Sequence, residues 1–148
     1  MKMEWNGFLI SDDPRLLNVE TVVQFLGKSY WANKRSRERI DISIANSLCF
    51  GVYEGARQVG FARVVTDHAT MYWLCDVFID ESCRGKGIGK KLVESITQSD
   101  ELKDLMGLLG TMDAHDLYRQ YHFEDDKERM MRRMPDYVRA MRSLKTEG

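Results

Sequence analysis

Three glycines at alternate positions, Gly85, Gly87 and Gly89, stand between an apolar run and a helical repeat, and they restrict the fold more than any other feature. Upstream, Tyr72 to Ile79 is rich in Val, Phe, Tyr and Trp, a composition suited to a buried pleated strand. Downstream, Leu92, Val93 and Ile96 recur at helical spacing. A strand that turns through glycine into a helix brings unpaired N–H groups together with no Cβ in the way. The helix dipole favours an anion such as pyrophosphate at that point, and Arg84, Lys86 and Lys90 add positive charge. The stretch Arg84, Gly85, Lys86, Gly87, Ile88, Gly89 and Lys90 is therefore expected to cradle a phosphate.

The flanking sequence predicts a mixed α/β (α+β) architecture. Trp5 to Ser11 reads as one strand closed by Asp12-Asp13-Pro14. Asn18 is placed to cap a helix carrying Val19, Val22, Val23, Phe25 and Leu26 and ending near Gly27, and Ser36 to cap a second carrying Ile40 and Ile44. Leu48 to Tyr53, Val59 to Thr66 and Tyr72 to Ile79 follow as successive hairpin strands, separated by Glu54-Gly55 and Asp67-His68. After the glycine loop and its helix come an apolar strand at Leu105 to Leu109 and a short helix over Ala114 to Tyr121. A tail from Lys127 to Lys145 is expected to hold a strand and a terminal helix. The sheet is thus mostly antiparallel and turns parallel around one strand–helix–strand crossover, with helices flanking it.

At 148 residues the chain suits one domain, residues 1–148, and its 43% hydrophobic and 30% charged residues exclude a disordered or fibrous class. The formal charge of −1 excludes a whole-molecule attraction to nucleic acid or anionic membrane. The basic tail, Lys127 to Lys145, carries no nucleic-acid recognition motif, and its mixture of Met and Arg suits a homodimer surface equally well. Cys49, Cys75 and Cys83 are odd in number and form no CxxC pair, which fits a reduced cytoplasmic setting. No apolar run approaches a membrane span, and His68, His115 and His122 lack metal-ligand spacing, so neither membrane nor metal is expected.

Two familiar phosphate loops fail here. A P-loop needs Gly where Arg84 stands and Ser or Thr where Lys91 stands, and a dinucleotide fingerprint needs Gly at Lys90 or Leu92. What the stretch matches is Arg-x-x-Gly-x-Gly, filled by Arg84, Gly87 and Gly89. It resembles the acetyl-CoA loop of the GNAT-type N-acetyltransferases. Ala114 to Phe123 is similar to that family's Ala-x-x-Leu-Tyr-x-x-x-Gly-Phe segment, with His122 in place of Gly. Together the two motifs span residues 72–123.

The resemblance implies a sheet whose parallel strands, Tyr72 to Ile79 and Leu105 to Thr111, splay apart to admit the pantetheine arm of acetyl-CoA. Backbone groups of Val77, Phe78 and Ile79 would then face the acetyl end. Thr111 stands where many relatives carry an Asn that holds the pantetheine. The implied reaction is direct transfer of acetyl to the primary amine of a small molecule or peptide. Tyr118 matches the tyrosine that protonates the departing sulfur, although packing on its helix face explains it too.

Asp76 interrupts an apolar strand, which suits either a general base or a salt-bridged side chain. Asp113 is a second carboxylate near the cleft, a candidate base and substrate contact, or else the cap of the helix at Ala114. Tyr30, Trp31 and Arg35 lie between the two N-terminal helices, where relatives place a substrate lid; core packing of Trp31 is the competing reading. A cysteine acyl-enzyme at Cys75 or Cys83 lacks a His partner in sequence. The alternative function is a non-catalytic acyl-CoA sensor on the same fold.

Overall fold

The computed structural model describes residues 1–147, with side chains described through Met141. Six strands form a single sheet in sequence order, β1 (Lys2–Trp5), β2 (Phe8–Ser11), β3 (Leu48–Glu54), β4 (Arg57–Thr66), β5 (Met71–Ile79) and β6 (Met106–Leu109). Every pairing is antiparallel except β5 with β6. The mixed, mostly antiparallel sheet with one parallel pair is as expected.

The expected first strand is instead a hairpin. Asn6 and Gly7 adopt φ of 49° and 83°, both left-handed, so the chain reverses between β1 and β2. Asn-Gly is the favoured pair for such a two-residue turn, because its backbone twist matches that of the flanking strands.

Helix α1 (Val19–Gly27) starts where Asn18 Oδ1 accepts from the Thr21 N–H, and α2 (Arg37–Ala45) where Ser36 Oγ accepts from the Arg39 N–H. Both bury their apolar stripes on one face of the sheet, where Val22, Phe25, Leu26 and Ile40 meet Phe61 and Phe78. Helix α3 (Ile88–Thr97) covers the opposite face, packing Ile88, Leu92, Val93 and Ile96 against Ile10, Phe50, Val59 and Leu74. Helices α4 (His115–Arg119) and α5 (Asp136–Glu147) complete the chain. The strand expected in the tail does not form: residues 130–135 have no regular structure. Met131 there is exposed, so the segment has no apolar face with which to join a sheet.

One irregularity in β5 organises the sheet. Its pairing with β4 steps from Phe61↔Phe78 to Arg63↔Cys75, so Ala62 faces both Asp76 and Val77, and Asp76 takes a φ of 54°. This is a bulge. Strict alternation would place Leu74, Asp76 and Phe78 on one face. With the extra residue, Leu74, Val77 and Ile79 pack on the α3 side, while Phe78 joins the α1–α2 core. Asp76 turns to the loop between α1 and α2.

The parallel pair is short. Only Met71 to Leu74 pair with Met106 to Leu109, whereas β5 runs on to Ile79, so its edge from Cys75 onward has no partner in β6. The closed end of the parting strands is fitted by Tyr72 over Gly107, where a Cβ would lie 2.5 Å from the tyrosine hydroxyl. Tyr72 is buried and cannot withdraw freely. Gly107→Ala is therefore expected to lower stability by about 1–3 kcal/mol through overpacking, read as a reduced urea midpoint at unchanged m-value.

Candidate active site

The glycine loop presents backbone, as its sequence suggests. Gly85 and Gly87 adopt φ of 80° and 81°, and Gly87 caps α3 without a side-chain bond. The first intrahelical donor is the Lys91 N–H, which reaches Gly87 O at 3.0 Å. Among the described residues no acceptor meets the N–H groups of Ile88, Gly89 or Lys90. Buried Ile88 anchors this turn, with Lys86 and Lys90 exposed beside it.

Gly89 has a different role from its neighbours. It lies inside the helix, where a Cβ would meet Ile79 Cγ1 at an ordinary 3.6 Å. Arg84 folds back on the strand end, donating from Nε to Ile79 O at 3.0 Å with its guanidinium 5.1 Å from the Phe78 ring centre. It fixes the loop to β5 although the residue as a whole is exposed.

Asp76 is the most connected side chain of the site. Its carboxylate, 2% exposed, accepts from Arg63 Nε at 2.8 Å, Arg35 Nη1 at 2.8 Å and Trp31 Nε1 at 3.1 Å. Burial pushes its pKa up, but the hydrogen bonds from Arg63 and Arg35 overcome that and leave it below the ordinary carboxyl value. Such a carboxylate has little affinity for a proton. Of the two sequence readings, the ion-paired one describes its surroundings.

The bonds to Asp76 also place the lid residues. Trp31 lies over the bulge with much of its ring exposed, and Tyr30 stands edge-on to it at 4.9 Å between ring centres. Trp31 is thus not a core residue. Arg63 completes the group by donating from Nη1 to Ser47 Oγ at 3.1 Å.

On the other side of the parting strands, Tyr118 of α4 is buried in the α3-side core, edge-on to Phe123 at 5.9 Å. Burial, with Asp113 and Tyr30 nearby, pushes its phenol to about 12.

Asp113 does not cap α4. No side chain caps this helix, and the turn ahead of it is closed by Thr111 Oγ1, which accepts from the Ala114 N–H at 3.0 Å. Thr111 keeps a hydroxyl proton to donate. His122 has a φ of 68° and ends α4, with the Phe123 N–H reaching Tyr118 O at 3.3 Å. Tyr121 Oη donates to Lys90 O at 3.1 Å and ties this segment to the first turn of α3.

The acetyltransferase (GNAT) domain family matches residues 45–125. This chain belongs to the GNAT acetyltransferase family. The crystal structure of a GNAT-family protein from Xanthomonas campestris pv. campestris is 33% identical with a TM-score of 0.83, covering 89% of this chain and 96% of that one. A Clostridium acetobutylicum protein solved with acetyl-CoA has a TM-score of 0.64 at 11% identity, over 85% of this chain and 94% of that one, and shares the fold alone. In sequence, the histone acetyltransferase TAP1 of Glycine max is 32% identical over 77 residues, 51% of this chain and 33% of that one. The chain spans between 28% and 63% of the length of the curated relatives it matches.

In this GNAT domain the functional residue that sequence reasoning missed is Arg63. Its signal was present: Arg63 breaks the apolar run Val59 to Val65 as Asp76 breaks the next one, and opposite charges in adjacent hairpin strands invite pairing. Cys49 and Cys75 offer no thiolate. Burial pushes Cys75 to about 11 and Cys49 to about 12. Among the described residues no group of His, Cys, Asp or Glu is arranged to hold a metal ion, and no helix is long and apolar enough to cross a membrane.

Removing the Asp76 carboxylate leaves two half-buried guanidinium groups facing each other. Asp76→Ala is expected to cost about 3–5 kcal/mol in chemical denaturation at neutral pH. The folded-state pKa lies below the ordinary 3.8, so Asp76 contributes stability above that value and loses it as pH falls through the folded pKa. The gap between wild type and variant should therefore narrow in strong acid.

Proposed function

We propose that this domain is an N-acetyltransferase that moves the acetyl group of acetyl-CoA to a primary amine by direct attack. The observation that carries the reading is the unpaired edge of β5, Cys75 to Ile79, followed through the Glu81–Cys83 turn and the glycine loop by the glycine-capped N-terminus of α3. An extended thioester arm can add to that edge as a strand would, with its pyrophosphate at the helix end. Left-handed Gly85 and Gly87 and the free N–H groups of Ile88, Gly89 and Lys90 fit such a ligand.

Acetyl-CoA supplies an activated acyl group. The chain supplies positions and protons. Backbone of Val77, Phe78 and Ile79 lines the parted strand, and N–H groups there stabilise charge at the carbonyl oxygen. Lys86 and Lys90 meet the pyrophosphate, Arg84 holds the loop in place, and Thr111 offers its hydroxyl proton to the arm. The amine nitrogen bonds to the acetyl carbon as the carbon–sulfur bond breaks. The amine gives up a proton and the sulfur gains one.

Tyr118 holds its proton at the leaving sulfur. Because burial raises the phenol to about 12, complete transfer to a thiolate of about 8.5 is uphill, and strong hydrogen-bond donation is its main contribution. Asp76 acts by placing Arg35 and Trp31 rather than by accepting the amine proton. Cys75, protonated and covered, is not an acyl carrier. The odd number and wide spacing of Cys49, Cys75 and Cys83 suit a reducing, cytoplasmic setting.

A CoA-release assay over a panel of amines tests the reading. Tyr118→Phe should lower kcat by about 100-fold or more. Acetyl-CoA binding without turnover on any amine would favour the sensor alternative. Since Tyr118 stays protonated and Asp76 stays ionised across the neutral range, kcat/KM should rise with pH until the acceptor amine is neutral, without a descending limb before about pH 10. A fall near neutrality would assign the proton donor elsewhere. Cys75→Ser should retain turnover.

A further inference from the structure

We infer that the acceptor carries a carboxylate close to its amine, as an α-amino acid does, and that Arg35 binds it; this rests on the acetyl-transfer reading above. The inference starts from a charge count at the bulge. Asp76 stands between two guanidinium groups, and among the described residues neither arginine pairs with a second carboxylate. The group therefore carries one surplus positive charge in a poorly hydrated place, which favours a single bound anion.

The two arginines are not equivalent. Arg63, 14% exposed, spends Nε on Asp76 and Nη1 on Ser47. Arg35 is 25% exposed and spends Nη1 alone, leaving Nε and Nη2 without a partner among the described residues. Its head group is held by a carboxylate that cannot move, so its remaining donors are fixed before any ligand arrives. A planar fork with open donors and a surplus of one charge matches a carboxylate better than a phosphate dianion.

Position makes this a subsite for the acceptor rather than for CoA. Asp76 immediately precedes Val77, Phe78 and Ile79, and it faces the α1–α2 side, whereas the glycine loop leads into α3 on the opposite side. An anion on Arg35 thus lies next to the transfer point and away from the pyrophosphate. Tyr30 and Trp31, partly exposed beside it, supply an apolar wall for the rest of the molecule. The surplus charge also disfavours the ammonium form of a nearby amine, easing loss of its proton, and repels cationic acceptors such as polyamines.

The test measures kcat/KM for the common α-amino acids, each beside its decarboxylated amine and its carboxamide, with aminoalkyl phosphates and sulfonates as further arms. Acetyl-CoA affinity is measured separately by calorimetry. The best amino acid should exceed both its uncharged counterparts by about 10- to 100-fold, mostly through KM. Arg35→Gln should bring that ratio towards one. Arg35→Lys keeps the charge and the pairing with Asp76 but loses the fork, and should retain part of the preference.

Equal turnover of the amino acid and its decarboxylated amine would overturn the inference. So would a preference for phosphates or polyamines, or an Arg35→Gln variant whose ratio is unchanged. Turnover of other amines but no amino acid overturns it while leaving acetyl transfer standing. Failure to bind acetyl-CoA at all overturns the reading on which it rests.

Discussion

The structure turns on a buried carboxylate at a kink in a strand. Asp76 occupies the left-handed position of the β5 bulge and gathers Arg63 from β4 with Arg35 and Trp31 from the α1–α2 loop. The cost of burying three charges is offset only if geometry and hydrogen bonding are good, and the short bonds to Arg63 and Arg35 meet that condition. Through this one group the bulge, the neighbouring strand and the loop over the cleft hold one another in place.

The bulge also changes which side chains face which layer. By moving Val77 and Ile79 to the α3 side and Phe78 to the α1 side, it lets β5 pack on both layers. Phe78 stacks on Phe25 at 4.9 Å and receives the Arg84 guanidinium over its ring. The end of β5 is thus pinned from both faces while its edge towards β6 stays open. Rigid faces beside an unpaired edge are what a cleft for an extended ligand requires.

Much of this was readable in the chain. Helix caps at Asn18 and Ser36, the three central strands and the glycine turn into α3 follow from local rules, because each depends on residues within a few positions. The Asn6-Gly7 hairpin was equally local and was missed by treating Trp5 to Ser11 as one run. Pairing between distant segments was harder. That Thr111 closes the turn ahead of α4 while Asp113 leaves the helix uncapped depends on side-chain orientation, which spacing leaves open. The meeting of Arg35, Arg63 and Asp76 depends on how a bulge rotates one residue, and no periodicity encodes that.

Tyr121 joins two parts of the site that sequence keeps apart. Its hydroxyl rests on the Lys90 carbonyl, in the same turn whose N–H groups point outward. Tyr118 lies one helical turn away on α4, held to Tyr121 by the Tyr121 N–H to Tyr118 O bond. The phenol and the helix terminus therefore share a common reference frame that does not run through the sheet. Breathing of β5 against β6 can widen or narrow the slot between them without altering how far apart those two chemical groups stand.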